Sequence, residues 1–549
     1  MSAAIPLNSL HTLDEAAEFI IRHAGLVKSQ RSNYEFSAQQ ICDHEIGEGD
    51  FTGDRTPGTH RLDVIYDTTA LNSGTLLSSA LDSLLSSLAT KFFTLRPRNR
   101  TLLEDESTRR WLEQVENVIF HYLARPEARF TNQMSELYHN LVFFGMGAMF
   151  IEDEPGAGVF FSARPLQEIY ITENAAGVVN TVLRRFKLTA MQAVGIWGDA
   201  VPSANKLAAD GEHTSETEYL HFVRRTGSIE DHNSSATSLP WASTYVSLAD
   251  QRVVDQGGFR ANPYVTPRWS VRAGEVYGVG PGFRALPLAK GLNEIVKTML
   301  EHGQMSIHPP RMVDAQRIEG APDMYPGALI HKRPGTSGEP AIEPVPLGGD
   351  LNFGISLLED QRTQMRSTMH FELLQIIQDP RMTAFQVSEL SSTMQRLLSP
   401  FLGRMETELL SPTVNRTYDI ALEQGAIPPP PPEFEDADFD VEYRSPISIS
   451  QKKLQSQGII NSLTAAGNLA QIAPQVMDNF DMDKSIRFIH EAEGAPLEVL
   501  MPADTMEKIR EAQAQQEAEE AQRQQQLEAV DAAGGVEPLA NVAGMQGLQ

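Results

Sequence analysis

The chain has 549 residues, of which 41% are hydrophobic, 21% charged and 7% aromatic. That length fits three or four domain-sized units, and the apolar fraction is enough for real cores, which excludes bulk disorder. Acidic residues outnumber basic ones 72 to 45, a formal charge of −27, the opposite of what a protein gripping nucleic acid over a broad surface would show. Cys42 is the single cysteine, so an internal disulfide and a cysteine-based zinc site are excluded and a reducing cytoplasm fits. The N-terminus lacks a basic-then-apolar leader pattern. The longest near-apolar run, Leu141 to Ile151, is eleven residues with two glycines, too short to span a bilayer. A chain free of membranes is expected.

Residues 11–30 read as a short amphipathic helix and 42–60 as a polar, Gly-rich connection. The spacing of Leu77, Leu81, Leu84 and Leu88 predicts a helix over 71–90, followed by the strand KFFTLRPR. Further helices are predicted near 105–124, with Trp111, Val115, Val118 and Tyr122 on one stripe, and near 127–147. From 148 to 270 the texture changes to short strands separated by Gly, Asn or charged turns, with one helix near 189–197. NPYVTPRWS, at 262–270, reads as the last of these strands. The fold class is α+β, without the repeated βαβ units of a doubly wound sheet.

Leu288, Leu292, Ile295 and Met299 predict a helix over 284–303, closed by Gly303. A Pro/Gly-rich stretch with short β-like pieces follows, and a second helix carries Leu358, Met365, Met369 and Leu373 on one face. It stops at Gln378-Asp379-Pro380, because proline disfavours helix at the residue before it. A third helix, from Thr383 almost to Gly425, contains Pro400 and Pro412 and should be kinked or divided there. The prolines at 428–432 form a stiff spacer. EFEDADFDVE, at 433–442, places six carboxylates in ten residues and reads as a solvated linker. Two or three helices are expected between 448 and 510, then an Ala/Gln/Glu-rich segment with almost no apolar face and a flexible end over 533–549.

The motifs that would carry catalysis fail one by one. No Lys follows a Gly, so there is no P-loop. Gly278-Val-Gly280-Pro-Gly282 has Phe283 where a dinucleotide fingerprint needs its last Gly, and reads as a turn opening the next helix. His44-Glu45 and His490-Glu491 begin HExx patterns without the second His that zinc needs one turn later. No GxSxG elbow exists. Arg96, Arg98 and Arg100, like Arg184-Arg185, read as solvated strand ends or intersubunit salt bridges, and Trp269 and Tyr277 as core or interface anchors. No cofactor and no catalytic residue is assigned.

Order carries more information than any single motif. Two amphipathic helices bracket a Pro/Gly-rich β insert, and the second breaks at QDPRMT before a long, proline-interrupted helix. Together with LLSSALDSLLSSLATKFFTLRPR, ELYHNLVFFGMGAMFIED, PRWSVRAGEVYGVGPGFRALPLAKGLNEIVK, SPFLGRMETELLSPTVNRTYDI and GAIPPPP, this order resembles the podovirus-type portal proteins, the head-to-tail connectors of bacteriophages, over roughly 60–510. One departure is visible: Thr383-Ala-Phe-Gln-Val-Ser-Glu stands where a Thr-Ala-Thr-Glu-Val-like string is usual.

The resemblance implies a portal fold assembled as a ring of identical subunits, commonly twelve, at one capsid vertex. It would place the wing at 1–283, stem helices at 284–307 and 353–377, a β-rich clip at 308–352 and a tunnel loop at 378–383. The wing would resume as a long kinked helix and acidic linker over 384–447, followed by a crown at 448–510 and a barrel helix or flexible tail over 511–549. Gln378, Asp379, Pro380, Arg381, Met382 and Thr383 would line the DNA channel. Arg311, Arg317, Tyr325, His331, Lys332 and Arg333 would serve partner docking at the clip.

The implied partners are double-stranded DNA without sequence specificity, a separate terminase, tail adaptor or nozzle proteins, and the major capsid and scaffold proteins. The implied location is the virion, after assembly in the host cytoplasm. Two alternatives are another capsid-associated structural or adaptor protein and a multidomain, acidic, metal-dependent enzyme. The helix–insert–helix order disfavours the first. The second needs carboxylates gathered in one pocket, which the sequence does not place.

Overall fold

The computed structural model describes residues 13–47, 49–52, 65–89, 91–103, 105–154, 158–226, 239–313, 342–344, 351–370, 400–434, 438–444, 446–470, 475, 479–494, 499–501 and 503–534. The chain is a mixed α+β protein with two compact units. The first is built from 1–95, 115–428 and 440–447, the second from 96–114, 429–439 and 448–549. No described helix is long and apolar enough to cross a membrane.

The first unit is organised on a five-stranded antiparallel sheet in the order β4 (Ile169–Glu173), β5 (Val179–Thr189), β6 (Glu216–Arg225), β7 (Trp241–Ser247) and β8 (Arg252–Phe259). Strand alternation sends successive side chains to opposite faces, and each face finds its own cover. Leu183, Leu220 and Phe222 pack under Ala17, Ile20 and Val27 of helix α1 (Leu13–Ile41). Phe186 and Tyr219 pack under the short helices α5 (Ala190–Trp197) and α6 (Pro202–Ala209). Thr189 starts α5 with a capping box, its hydroxyl accepting from the Gln192 amide while the Gln192 side chain accepts from the Thr189 amide.

A second, three-stranded sheet takes β3 (Gly158–Ala163), β2 (Met149–Glu154) and β9 (Tyr264–Val265). NPYVTPRWS therefore contributes only a two-residue strand and a single bridge from Arg268 to Met146, since prolines at 263 and 267 remove ladder donors. Helix α2 (Thr69–Leu85) packs on α4 (Phe130–Phe144), with helix α3 (Glu106–Ala124) between them in sequence. Glu116 on α3 accepts from the Thr94 hydroxyl and the Leu95 amide of strand β1 (Phe93–Pro97), at 2.5 and 2.7 Å.

Other elements also depart from the sequence reading. Helix α1 extends to Ile41 and continues as a π-turn, Cys42–Ile46, where a polar connection was expected. Buried Ala38, Ile41, Cys42 and Ile46 continue its apolar face, and Gly47, at φ +72°, ends it. The helix expected over 284–303 is α7, Pro281–Ile307, and Gly303 lies inside it. The following helix is α8, Leu351–Thr368. The described part of the next helix starts at 400 as α-helix, becomes a π-segment over Glu406–Leu410, and continues as α9, Ser411–Glu423. Pro412 has no amide to donate to the carbonyl four residues back, and the neighbouring Ser411 amide bonds five residues back to Glu406. The π register accommodates the proline within a continuous helix.

In the second unit, Trp111 packs against Phe434 with ring centroids 5.0 Å apart and planes tilted by 45°. Helices α10 (Pro446–Ala470) and α11 (Met482–Glu493) are joined by Glu493, which accepts from the Ser456 hydroxyl at 3.2 Å and pairs with Lys453. Arg510 of α12 (Ala503–Gly534) grips Asp483. The acidic run at 433–442 is less free than expected, because Phe434 is buried and Phe439–Tyr443 forms strand β12.

Helix α7 begins where two backbones touch. A Cβ on Gly282 would lie 2.4 Å from the Phe143 carbonyl oxygen, and one on Gly278 would lie 2.1 Å from that of Gly145. Gly282→Ala must therefore displace backbone and should cost more than about 2 kcal/mol of stability. Gly403→Ala, at a helical glycine with nothing within 4 Å of a built Cβ, should be neutral or stabilising by up to ~1 kcal/mol. Denaturant unfolding of the two variants beside the parent checks both.

Candidate functional site

Helices α7 and α8 pack against each other as a helical hairpin. Gly291 on α7 faces Gln361 on α8, and Gly354 faces Met299. These pairs run antiparallel, as does the short ladder beyond them: Arg311, Met312 and Val313 of β10 pair with Pro344, Glu343 and Ile342 of β11. The small residues at 291 and 354 let the two helices approach closely.

The base of the hairpin is tied by one asparagine. Asn293 Oδ1 accepts from the amides of Tyr66 and Asp67, both at 2.9 Å, and its Nδ2 donates to the His44 carbonyl at 3.0 Å. Asp67 then bonds Arg362 of α8, with Nε 3.0 Å and the terminal nitrogen 2.9 Å from Oδ2, while its Oδ1 accepts from the Thr69 amide at the start of α2. A single network thus joins the end of α1, the start of α2, and both hairpin helices. Burial alone would raise the Asp67 carboxyl, but hydrogen bonds from Thr69 and Arg362 and the guanidinium charge hold it below its ordinary 3.8.

Above this base the surface changes character. On α7 no residue beyond Asn293 is buried, and on α8 the buried positions are Leu358 and Met365. Leu300, Met305, Ile307, Met312, Phe353 and Ile355 are all exposed, Ile307 by 75% and Phe353 by 68%. Scattered exposed apolar side chains are ordinary, but six concentrated on one hairpin set this surface apart from the rest of the first unit.

A separate cavity of about 930 Å³ opens between α1 and the start of α7, with Tyr34, Tyr277 and Phe283 among its walls and Arg272 and Arg284 at its edge. Among the described residues no group of His, Cys, Asp or Glu could hold a metal ion.

Residues 18–500 match the sequence profile of a family described as bacteriophage head to tail connecting protein. The chain belongs to this family. It is 24% identical over 514 residues to the portal protein of Salmonella phage epsilon15, and 22% identical over 506 residues to a probable portal protein of Bordetella phage BPP-1. Each alignment covers 90% of this chain and 91% of the relative. A chain from the virion of a native gene transfer agent particle superposes with a TM-score of 0.36 at 11% identity, over 82% of this chain and 92% of that one.

Of the partner-docking residues expected in this connector, Arg311 is exposed on β10, opposite Pro344. Arg317, Tyr325, His331, Lys332 and Arg333 lie outside the described residues, as do the expected channel residues Gln378, Asp379, Pro380, Arg381, Met382 and Thr383. The sequence reading missed Asn293, Asp67 and Arg362, whose pairing spans more than 200 positions of chain and leaves no local signal. It also missed the connector's second polar centre. Arg268, fully buried, bonds both oxygens of Glu408 at 2.8 and 3.2 Å, pairs with Glu173, and donates to the Val276 carbonyl. Burial would lower the Arg268 pKa, yet its bonds to Glu408 and Glu173 raise it.

The Asp67–Arg362 pair makes a pH-dependent prediction. A depressed carboxyl contributes stability above its unfolded pKa and loses it as pH falls through the folded one. Arg362→Ala should therefore cost about 1–3 kcal/mol at pH 7, a figure discounted for the partial exposure of Arg362. The cost should shrink as pH falls below the ordinary 3.8 and through the lower folded value. Unfolding midpoints at pH 7 and pH 3 measure it.

Proposed function

We propose that the chain is a portal subunit, one of a ring of identical copies at a single capsid vertex, through which double-stranded DNA enters and later leaves. Membership of the connector family carries this reading, and the exposed apolar side chains of the hairpin supply its physical support. A heterologous ring covers one face of each subunit with the opposite face of its neighbour. Leu300, Met305, Phe353 and Ile355 are the residues such a neighbour would bury.

On this reading α7 and α8 are the stem, with 308–352 as a clip that meets terminase during packaging and tail adaptors afterwards. Residues 378–383 are the tunnel loop, and the helices from 448 onward are the crown and barrel. The remainder forms the wing, the side toward capsid and scaffold. Twelve copies is the expected number. The ring is passive, the ATPase being a separate protein, and contacts to DNA involve phosphate and groove shape alone. The formal charge of −27 per chain suits this role, because strong cationic contacts would brake a sliding polyanion and net repulsion would keep it centred.

The purified protein should form closed rings by electron microscopy and hydrolyse no ATP. Phe353→Glu and Leu300→Glu alter exposed positions, so each should leave the circular dichroism unchanged while lowering the ring fraction at least about tenfold. A monomer in every salt condition, or full ring yield from both variants, would sink the reading.

A further inference from the structure

The incomplete His44-Glu45 motif ends in a feature that neither a metal nor the connector role explains. Glu45 is 1% exposed, and neither carboxylate oxygen has a hydrogen-bond partner. It sits in the π-turn Cys42–Ile46, which packs against α7 and α2. The preceding residue, His44, lends its carbonyl to Asn293. An unpartnered carboxyl is thus enclosed at the joint where the hairpin meets the body.

The neighbouring charges are engaged elsewhere or stand apart. In the π-turn and α1, Asp43 accepts from Gln39 at 3.0 Å, and His44 is electrostatically coupled to Lys290 and Asp43. From α7, Lys290 donates to Gln40 at 2.7 Å, with Glu294 and Lys297 further along the helix. From α2 the only ionisable side chain is Asp82, which accepts from Ser86 at 2.8 Å. Asp67, reached through Asn293, is neutralised by Arg362. Among the described residues none of these pairs with Glu45.

We propose that Glu45 is a proton-dependent lock on this joint: as a neutral acid it seats the π-turn against α7 and α2, and on ionisation it releases that contact. An unpaired carboxylate in such a site costs more than a neutral acid, and the relief open to it is water, which reaches it only if the π-turn lifts. Lifting the turn also draws the His44 carbonyl from Asn293, so the change reaches α7. In support, burial pushes the Glu45 carboxyl well above its ordinary 4.5. A carboxyl raised in the folded state contributes stability that is complete below its unfolded pKa and is lost as pH rises through the folded one.

The test compares the full-length protein with Glu45→Gln, a neutral isostere, and with Glu45→Leu. Melting temperatures of parent and Glu45→Gln should coincide near pH 4.5. The parent should then fall behind as pH rises, by at least about 2 °C at pH 9. At that pH, amide exchange across 42–47 and 290–296, corrected for intrinsic rates, should be roughly tenfold faster in the parent than in Glu45→Gln. Parallel melting profiles of parent and Glu45→Gln would overturn the proposal. So would failure of both variants to fold at pH 5, since it would mean that the site requires the charge. Ring formation is read separately, so the outcome stands apart from the portal assignment.

Discussion

The close approach of two backbones is the constraint on which the rest of this molecule depends. Gly278, Gly280 and Gly282 meet the end of α4, from Val142 to Gly145, at distances that leave no room for a Cβ. Gly280 is also the N-cap of α7 and Pro281 its first residue, so the contact that closes α4 also launches α7. The direction of the hairpin follows from that junction. Glycine is required here because carbonyl oxygens and amides occupy the volume a side chain would need.

A second theme is how the body buries charge. Arg268 and Arg31 are both enclosed, and each directs its terminal guanidinium nitrogens at oxygen acceptors. Arg268 holds two carboxylates and a carbonyl. Arg31 donates to the Ile169 and Leu166 carbonyls, with its guanidinium 4.7 Å from the centre of the Tyr170 ring. A buried cation is tolerated where each donor finds an oxygen. Arg268 fastens the π-segment through Glu408 to the end of β4, which ties the helix that carries Pro412 to the large sheet. Glu45 shows the contrary case, an acid enclosed with nothing to pair with.

The hairpin divides at Asn293 into a portion that belongs to the body and one that does not. Below that residue, Ala285, Ala289 and Leu292 of α7 are buried and Lys290 is bonded to Gln40. Above it, large apolar residues face outward along two helices whose mutual register is set by glycines. A surface of this kind is stable in solution only at a cost, which association with another copy would remove. That division gives the connector assignment its physical content.

Much of this was legible from residue order. Leucine spacing placed α2, stripes of Trp111, Val115 and Tyr122 placed α3, and alternation located the strands of the large sheet, because these signals are local and have fixed periods. The two helices that flank the Pro/Gly-rich insert came through as α7 and α8 for the same reason. NPYVTPRWS and the acidic run misled, because composition says nothing of which partner strand lies near. What the sequence by itself determined was the kind of element at each stretch and the family to which their order belongs. Only the tertiary structure decided that Asn293 reaches Tyr66, Asp67 and His44, that Arg268 finds Glu173 and Glu408, and that Glu45 finds nothing. Those outcomes depend on which distant segments share a few ångströms of space, and no local periodicity records that.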